Sequence, residues 1–157
     1  MLRRLLSLFC LLVPALASAH VLQVPASQLT GLVDQSPEPY SFFSMQNGRL
    51  EPVPHQWLAF SDEGFPWFAG DSSTRRSARP GVIGAQDRLL LRRSDGGPRL
   101  SGNPSEQVTA ELQVQLGDET LYYYVVRNAY RQATQRYVRF DQQKMVVRST
   151  DYSLAMQ

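Results

Sequence analysis

Apolar and polar residues alternate along much of the chain with the period of two that is typical of β-strands. The clearest stretch runs from Val108 to Leu116, where every second residue is apolar and the residues between them are polar. This pattern predicts a half-buried strand. Further segments rich in β-branched and aromatic residues predict more strands, among them 40–46, 49–53, 56–61, 87–93, 120–127 and short pieces between 136 and 156.

Turn residues separate the predicted strands. Asn47-Gly48 is a two-residue hairpin signal, because both residues tolerate the positive φ that matches the twist of paired strands. Asp62-Glu63-Gly64 and Asp95-Gly96-Gly97-Pro98 mark further turns, and the segments 31–39 and 70–81 have the composition of long loops. Asn128 to Gln135 is the best candidate for a short helix.

About eight to nine short strands with close turns predict an all-β fold. We expect a single antiparallel β-sandwich, or a partly open barrel. Within it, Tyr122, Tyr123 and Tyr124 must alternate between the two faces of one strand. The three tyrosines therefore cannot all belong to the core.

Residues 1–19 have the three-part pattern of a secretory signal peptide: a basic pair at 3 and 4, an apolar run, then Ala17 and Ala19. The apolar run is much shorter than the roughly 20 residues needed to cross a bilayer, so we expect no membrane span. Cleavage after Ala19 leaves His20 first, and cleavage after Ala17 leaves Ser18. We expect a periplasmic or secreted domain over 20–157, which is either the whole mature protein or the N-terminal part of a longer one.

Removing the leader changes the charge balance. The chain has 16 lysines and arginines against 14 acidic residues, and two of the basic residues lie in the leader. The remaining chain is formally neutral, which gives no support for a nucleic-acid partner. Cys10, the single cysteine, also lies in the leader, so no disulfide is expected after export.

Two neighbouring segments are candidates for ligand contact. The first is aromatic and follows a predicted turn; its relevant residues are Phe65, Trp67 and Phe68. The second is the densest basic cluster, formed by Arg75, Arg76 and Arg79. Exposed aromatic residues stack on sugar rings or pack against a protein partner, and arginine binds carboxylates and phosphates, so together they suggest a contact surface for envelope glycan or a protein partner.

The alternative is a copper protein. A mature N-terminal His20 offers its α-amino nitrogen and a ring nitrogen, and His55 is the only other histidine that could complete a three-nitrogen set for Cu(II). Such an arrangement resembles the histidine brace of lytic polysaccharide monooxygenases and of some periplasmic copper carriers. Apart from copper in this alternative, we expect no cofactor.

Catalytic motifs are weak. Gly70-Asp71-Ser72 is similar to the nucleophile block of Gly-Asp-Ser hydrolases, but both histidines precede the serine and the α/β pattern of those enzymes is missing. Asp62, Glu63, Asp71 and Asp87 match no calcium-loop spacing. We therefore expect a protein that is not an enzyme and has no catalytic residues.

Three short motifs resemble, in the same order, the N-terminal β-rich module of secreted bacterial proteins of uncharacterised activity. They are Asn47-Gly48 with Pro54-His55-Gln56, then 87–91 with Asp95-Gly96-Gly97, then 136–138 with Tyr152. Acidic residues expected after the glutamine are replaced here by 57–60. The resemblance implies a fold and a secreted location, and it implies no activity. The sequence thus favours a non-catalytic binding or accessory module.

Overall fold

The computed structural model describes residues 21–68, 75–104, 107–135, 137–141, 146–149 and 153–155. Ten strands lie in this part of the chain: β1 (Val21–Pro25), β2 (Tyr40–Gln46), β3 (Arg49–Val53), β4 (His55–Leu58), β5 (Arg88–Arg92), β6 (Val108–Leu116), β7 (Glu119–Arg127), β8 (Val138–Asp141), β9 (Val146–Ser149) and β10 (Ser153–Ala155). Two short 3-10 helices cover Ala26–Gln28 and Arg93–Asp95. The predicted leader and His20 lie outside the described residues.

The strands form three antiparallel sheets. The first has the order β1-β5-β4, the second β3-β2-β7-β6, and the third β10-β9-β8. The first two sheets enclose a common core, so the fold is all-β and sandwich-like, as the sequence predicts. No sheet of the described residues closes into a barrel. No helix in these residues has the length and apolar character needed to span a bilayer.

The hairpin of β2 and β3 forms where the sequence predicts it. Asn47 and Gly48 have φ values of 51° and 76°, which is the left-handed conformation that the two-residue turn requires. The turn sets the register, in which Phe42 lies opposite Val53 and Met45 opposite Leu50. This register sends Phe42 and Val53 to the face that meets the first sheet.

The main core lies between the first two sheets. Phe42, Leu89 and Tyr123 have no exposed surface there, and the hydroxyl of Tyr123 donates a hydrogen bond to the carbonyl of Arg92 at 2.8 Å. This bond satisfies the polar end of a fully buried ring. Val33, Trp57, Ala110, Val114 and Leu116 are only partly buried against the same core.

A second apolar cluster covers the other face of the second sheet. Phe43, Tyr124 and Val126 are each at most 1% exposed. The backbone N–H of Leu100 donates to the hydroxyl of Tyr124, and the guanidinium of Arg131 lies 5.7 Å above the ring of Phe43. The tyrosine run alternates between the two faces of β7, as the sequence predicts: Tyr123 lies in the main core and Tyr124 in the second cluster. Tyr122 is only partly buried against the second cluster, so the three tyrosines are not all core residues.

The segment 128–135 is not a helix, which corrects the prediction made for it. Asn128 has a φ of 53°, and its N–H donates to the carbonyl of Pro39. Arg131 then binds Glu51 at 2.8 Å, and the hydroxyl of Ser41 donates to the side-chain oxygen of Gln132. These long-range bonds hold the segment as an extended cover over the second cluster.

A bulge changes the alternation of β6. The register with β7 shifts between Val108 and Ala110, so one extra residue is inserted at Thr109. Ala110, as the pattern predicts, faces the main core, but Val108 packs on the second cluster instead. The apolar side chains of this strand are thus divided between two cores.

The turn after β5 passes between two strands. Gly97 pairs with Tyr122 of β7, next to the point where the pairing of β2 with β7 ends. A Cβ at Gly97 would lie 2.1 Å from the carbonyl oxygen of Met45. Glycine is therefore required here by the close approach of two backbones.

Candidate functional site

The aromatic segment predicted to contact a ligand belongs to a tight hairpin, which we call the aromatic hairpin (residues 60–68). Phe60 and Pro66 form an antiparallel bridge, and the N–H of Ser61 donates to the carbonyl of Phe65 at 2.8 Å. The tip is Asp62-Glu63-Gly64, where Gly64 has a φ of 85°. The predicted turn at these residues is confirmed.

The hairpin presents two phenylalanine rings to solvent. Phe65 is 61% exposed and Phe68 is 66% exposed, whereas Phe60 at the base is 6% exposed. The other exposed large apolar residues of the described chain are Val21, which is 48% exposed, and Tyr130, which is fully exposed. Two exposed phenylalanines in one short turn are costly in water, so this exposure favours a contact role.

Trp67 is half-buried and has a different environment from the two phenylalanines. The guanidinium carbon of Arg76 lies 5.3 Å from the centre of its ring. A cation over the ring stabilises Trp67 in place and occupies that face. A ligand therefore has Phe65 and Phe68 as the more accessible aromatic contacts.

Arg76 is separated from the other two arginines of the basic cluster by its burial. Its side chain is 6% exposed and donates to the carboxylate of Asp87 at 2.6 Å. It also donates to the carbonyls of Ala78, Arg79 and Val82 at 2.9, 3.2 and 3.0 Å. Arg76, predicted as a ligand contact, thus directs both terminal nitrogens of its guanidinium to acceptors within the protein, while its buried Nε has no partner among the described residues.

Arg75 and Arg79 remain available at the surface. The side chain of Arg75 is 82% exposed, and Arg79 is also exposed. The Nε of Arg75 lies 3.6 Å from a carboxylate oxygen of Asp62, but an ion pair as exposed as this one contributes little to stability. These two arginines are the part of the predicted basic cluster that can reach a ligand.

Asp87 connects the hairpin to the loop at 75–84. Its side chain is 4% exposed and accepts from the N–H of Phe60 at 3.0 Å and from the N–H of Gly84 at 2.8 Å, besides the bond from Arg76. Buried charges are stable only when they are paired and hydrogen-bonded in this way. The sequence offered Asp87 only as an unassigned carboxylate, because two of its three partners, Arg76 and Phe60, lie 11 and 27 residues away along the chain.

Asp62 makes a second connection at the outer side. Its carboxylate accepts from the N–H of Ser77 at 2.9 Å and from the Ser77 hydroxyl at 2.6 Å. These hydrogen bonds lower the pKa of Asp62 below its usual value, and the bond from the Ser77 hydroxyl has the larger effect. The N–H of Asp62 also donates to the carbonyl of Arg75. The aromatic hairpin and the loop at 75–84 are therefore held side by side and form one continuous surface.

Only one of the two histidines of the copper alternative, His55, lies within the described residues. His55 lies in β4 with its ring centre 4.8 Å from that of Phe42, and burial lowers the pKa of the imidazole despite a hydrogen bond with Val53. His20 lies outside the described residues, as do Asp71 and Ser72 of the hydrolase-like motif. The described residues hold no cluster of three or more potential metal ligands. The copper hypothesis stays a prediction.

Comparison of the chain with protein-family models, with curated proteins and with solved structures gave no significant match. The resemblance to the module of secreted bacterial proteins therefore stays a prediction.

Proposed function

We propose that this chain is an exported, non-catalytic binding module whose contact surface is the aromatic hairpin together with Arg75 and Arg79. The observation that supports this proposal is the exposure of Phe65 and Phe68 on a turn held by buried bonds. A surface that is rigid before binding loses less entropy when it meets a ligand.

The surface fits a protein partner better than a glycan. Sugar rings stack best on open tryptophan or tyrosine faces, and one face of Trp67 is occupied by Arg76. Phenylalanine and arginine are both enriched where protein interfaces bury their centre. We therefore assign an envelope protein as the partner and treat envelope glycan as the competing outcome.

The test uses the double variant Phe65→Ser, Phe68→Ser. Tyr130→Ser serves as the control, because Tyr130 is fully exposed and lies outside the hairpin. Since all three side chains are exposed, both variants should keep the unfolding midpoint of the parent protein. A photo-crosslinking residue placed at 65 and, separately, at 130 reports contacts in an envelope extract of the source cells.

We expect protein adducts from position 65 that are absent from position 130, and that parent protein competes away but the double variant does not. Co-sedimentation with insoluble envelope glycan is the second arm. Glycan binding that the double variant loses would move the proposal from a protein to a glycan partner. If position 65 forms no protein adducts and the parent protein does not sediment with the glycan, the proposed contact surface is wrong.

A further inference from the structure

Within the described residues, the two sheets that enclose the main core have four edge strands, and three of these are protected against pairing. β1 ends in Pro25, β4 follows Pro54, and each has at most five residues. β3 contains Pro52, and its Leu50 carbonyl accepts a hydrogen bond from Arg131. Short length, proline and covered carbonyls are the means by which proteins prevent edge strands from pairing.

The fourth edge, β6, lacks these protections. It has nine residues and no proline, and it pairs with β7 on one side only. Within the described part of the chain no strand pairs with its outer side. The run from Ala110 to Leu116 is also free of the bulge that bends its beginning.

The direction of the backbone groups of β6 follows from its neighbour. The N–H of Tyr122 donates to the carbonyl of Gly97 at 2.9 Å, so the polar groups of Tyr122 point away from β6. Gln113 lies opposite Tyr122, and in an antiparallel ladder its N–H and C=O must then point outward. The same alternation sends the backbone groups of Glu111 and Gln115 outward.

We propose that two copies of this chain associate through antiparallel pairing of β6 with β6, with the two-fold axis at Gln113. In this register Gln113 faces Gln113 of the second copy, and Glu111 faces Gln115. Each facing pair exchanges two hydrogen bonds, so every outward backbone group of the three residues obtains a partner. Isologous pairing of this kind closes the assembly at two copies.

The side chains suit the same register. Leu112 comes beside Val114 of the second copy, and Ala110 beside Leu116, all on the face of the main core. Ala110, Val114 and Leu116 are only half-buried in the single chain, so pairing would remove more of their apolar surface from water. An axis at Glu111 would instead place two carboxylates opposite each other, which is unfavourable.

The first test is the mass in solution, by sedimentation equilibrium over a range of concentrations. We expect a dimer for the parent protein and loss of that dimer for Gln113→Pro. Proline removes an outward N–H that β7 does not use, so the internal ladder is kept. Gln113→Lys is the second variant, and Gln56→Lys on exposed β4 is the matched control, which should stay dimeric.

The second test fixes the register. In a Cys10→Ser background, Gln113→Cys places two thiols at a facing pair whose Cα atoms are about 5.5 Å apart, within the range of a disulfide. We expect rapid formation of a crosslinked dimer there and none for Gln56→Cys. A monomeric parent protein, a dimer unchanged by both Gln113 variants, or crosslinking at 56 instead of 113 would each overturn the proposal.

Discussion

Replacing Asp87 by alanine tests how the candidate surface is held. The carboxylate accepts from the N–H of Phe60, the N–H of Gly84 and the guanidinium of Arg76, at 3.0, 2.8 and 2.6 Å. Its side chain is 4% exposed and that of Arg76 is 6% exposed. Asp87→Ala would therefore leave two backbone donors and one cation without their acceptor in a largely dry environment.

The expected loss is about 3–5 kcal/mol in the free energy of unfolding, the range seen when one member of a buried ion pair is removed. This is a large part of the roughly 5–15 kcal/mol that stabilises a typical domain. Arg75→Ala is the control, since its side chain is 82% exposed and lies 3.6 Å from Asp62. The control should change the same free energy by about 1 kcal/mol or less.

Urea unfolding, followed by tryptophan fluorescence, measures both variants. Trp67 reports directly on the site because Arg76 lies over its ring. The paired change Arg76→Met with Asp87→Leu should cost less than the sum of the single changes, because it leaves neither charge unpaired. A loss below about 1 kcal/mol for Asp87→Ala, equal to that of the exposed control, would refute the view that this ion pair holds the aromatic hairpin.

Three further predictions concern the core and its titration. Gly97→Ala should destabilise the fold by about 1–3 kcal/mol or more, because the new Cβ would lie 2.1 Å from the carbonyl oxygen of Met45. Gly31→Ala is the control, because Gly31 has open space around it, and equal urea midpoints for the two variants would contradict the prediction. Burial raises the pKa of Tyr124 to about 12, so stability is full below pH ~10 and falls as pH rises from there toward 12, because the unfolded chain loses its proton first. An ultraviolet titration should show tyrosinate forming in a late step, and a single transition near pH ~10 would contradict the burial. Burial lowers the pKa of His55, so the stability of the fold is full above the usual value of 6.5 and falls as the pH drops below 6.5, because the unfolded chain takes up the proton first. His55→Phe should reduce this pH dependence of the urea midpoint, and an unchanged pH dependence would contradict the prediction.

Local patterns were enough to predict most strands and several turns. The hairpin at Asn47-Gly48 and the strand from Val108 to Leu116 depend on backbone φ preferences and on alternation, which are properties of neighbouring residues. The exposure of Phe65 and Phe68 was also predictable, because both follow a turn of polar residues and glycine.

The failures have a common cause in contacts between distant segments. The helix expected at 128–135 is replaced by an extended cover because Arg131 and Gln132 bind strands some 80–90 residues earlier. Tyr124 lies in the second cluster, where the N–H of Leu100, 24 residues earlier, donates to its hydroxyl. No local pattern records which loop returns to which face of a sheet.

The sequence by itself determined the all-β class, the hairpin turns and the position of an aromatic segment, because each depends on a few adjacent residues. Only the tertiary structure decided that Arg76 belongs to a buried ion pair while Arg75 stays at the surface. The two arginines are adjacent and chemically identical, so their roles differ only through what surrounds them. Asp87 supplies that difference, because a buried carboxylate requires a cation and Arg76 is the one that reaches it.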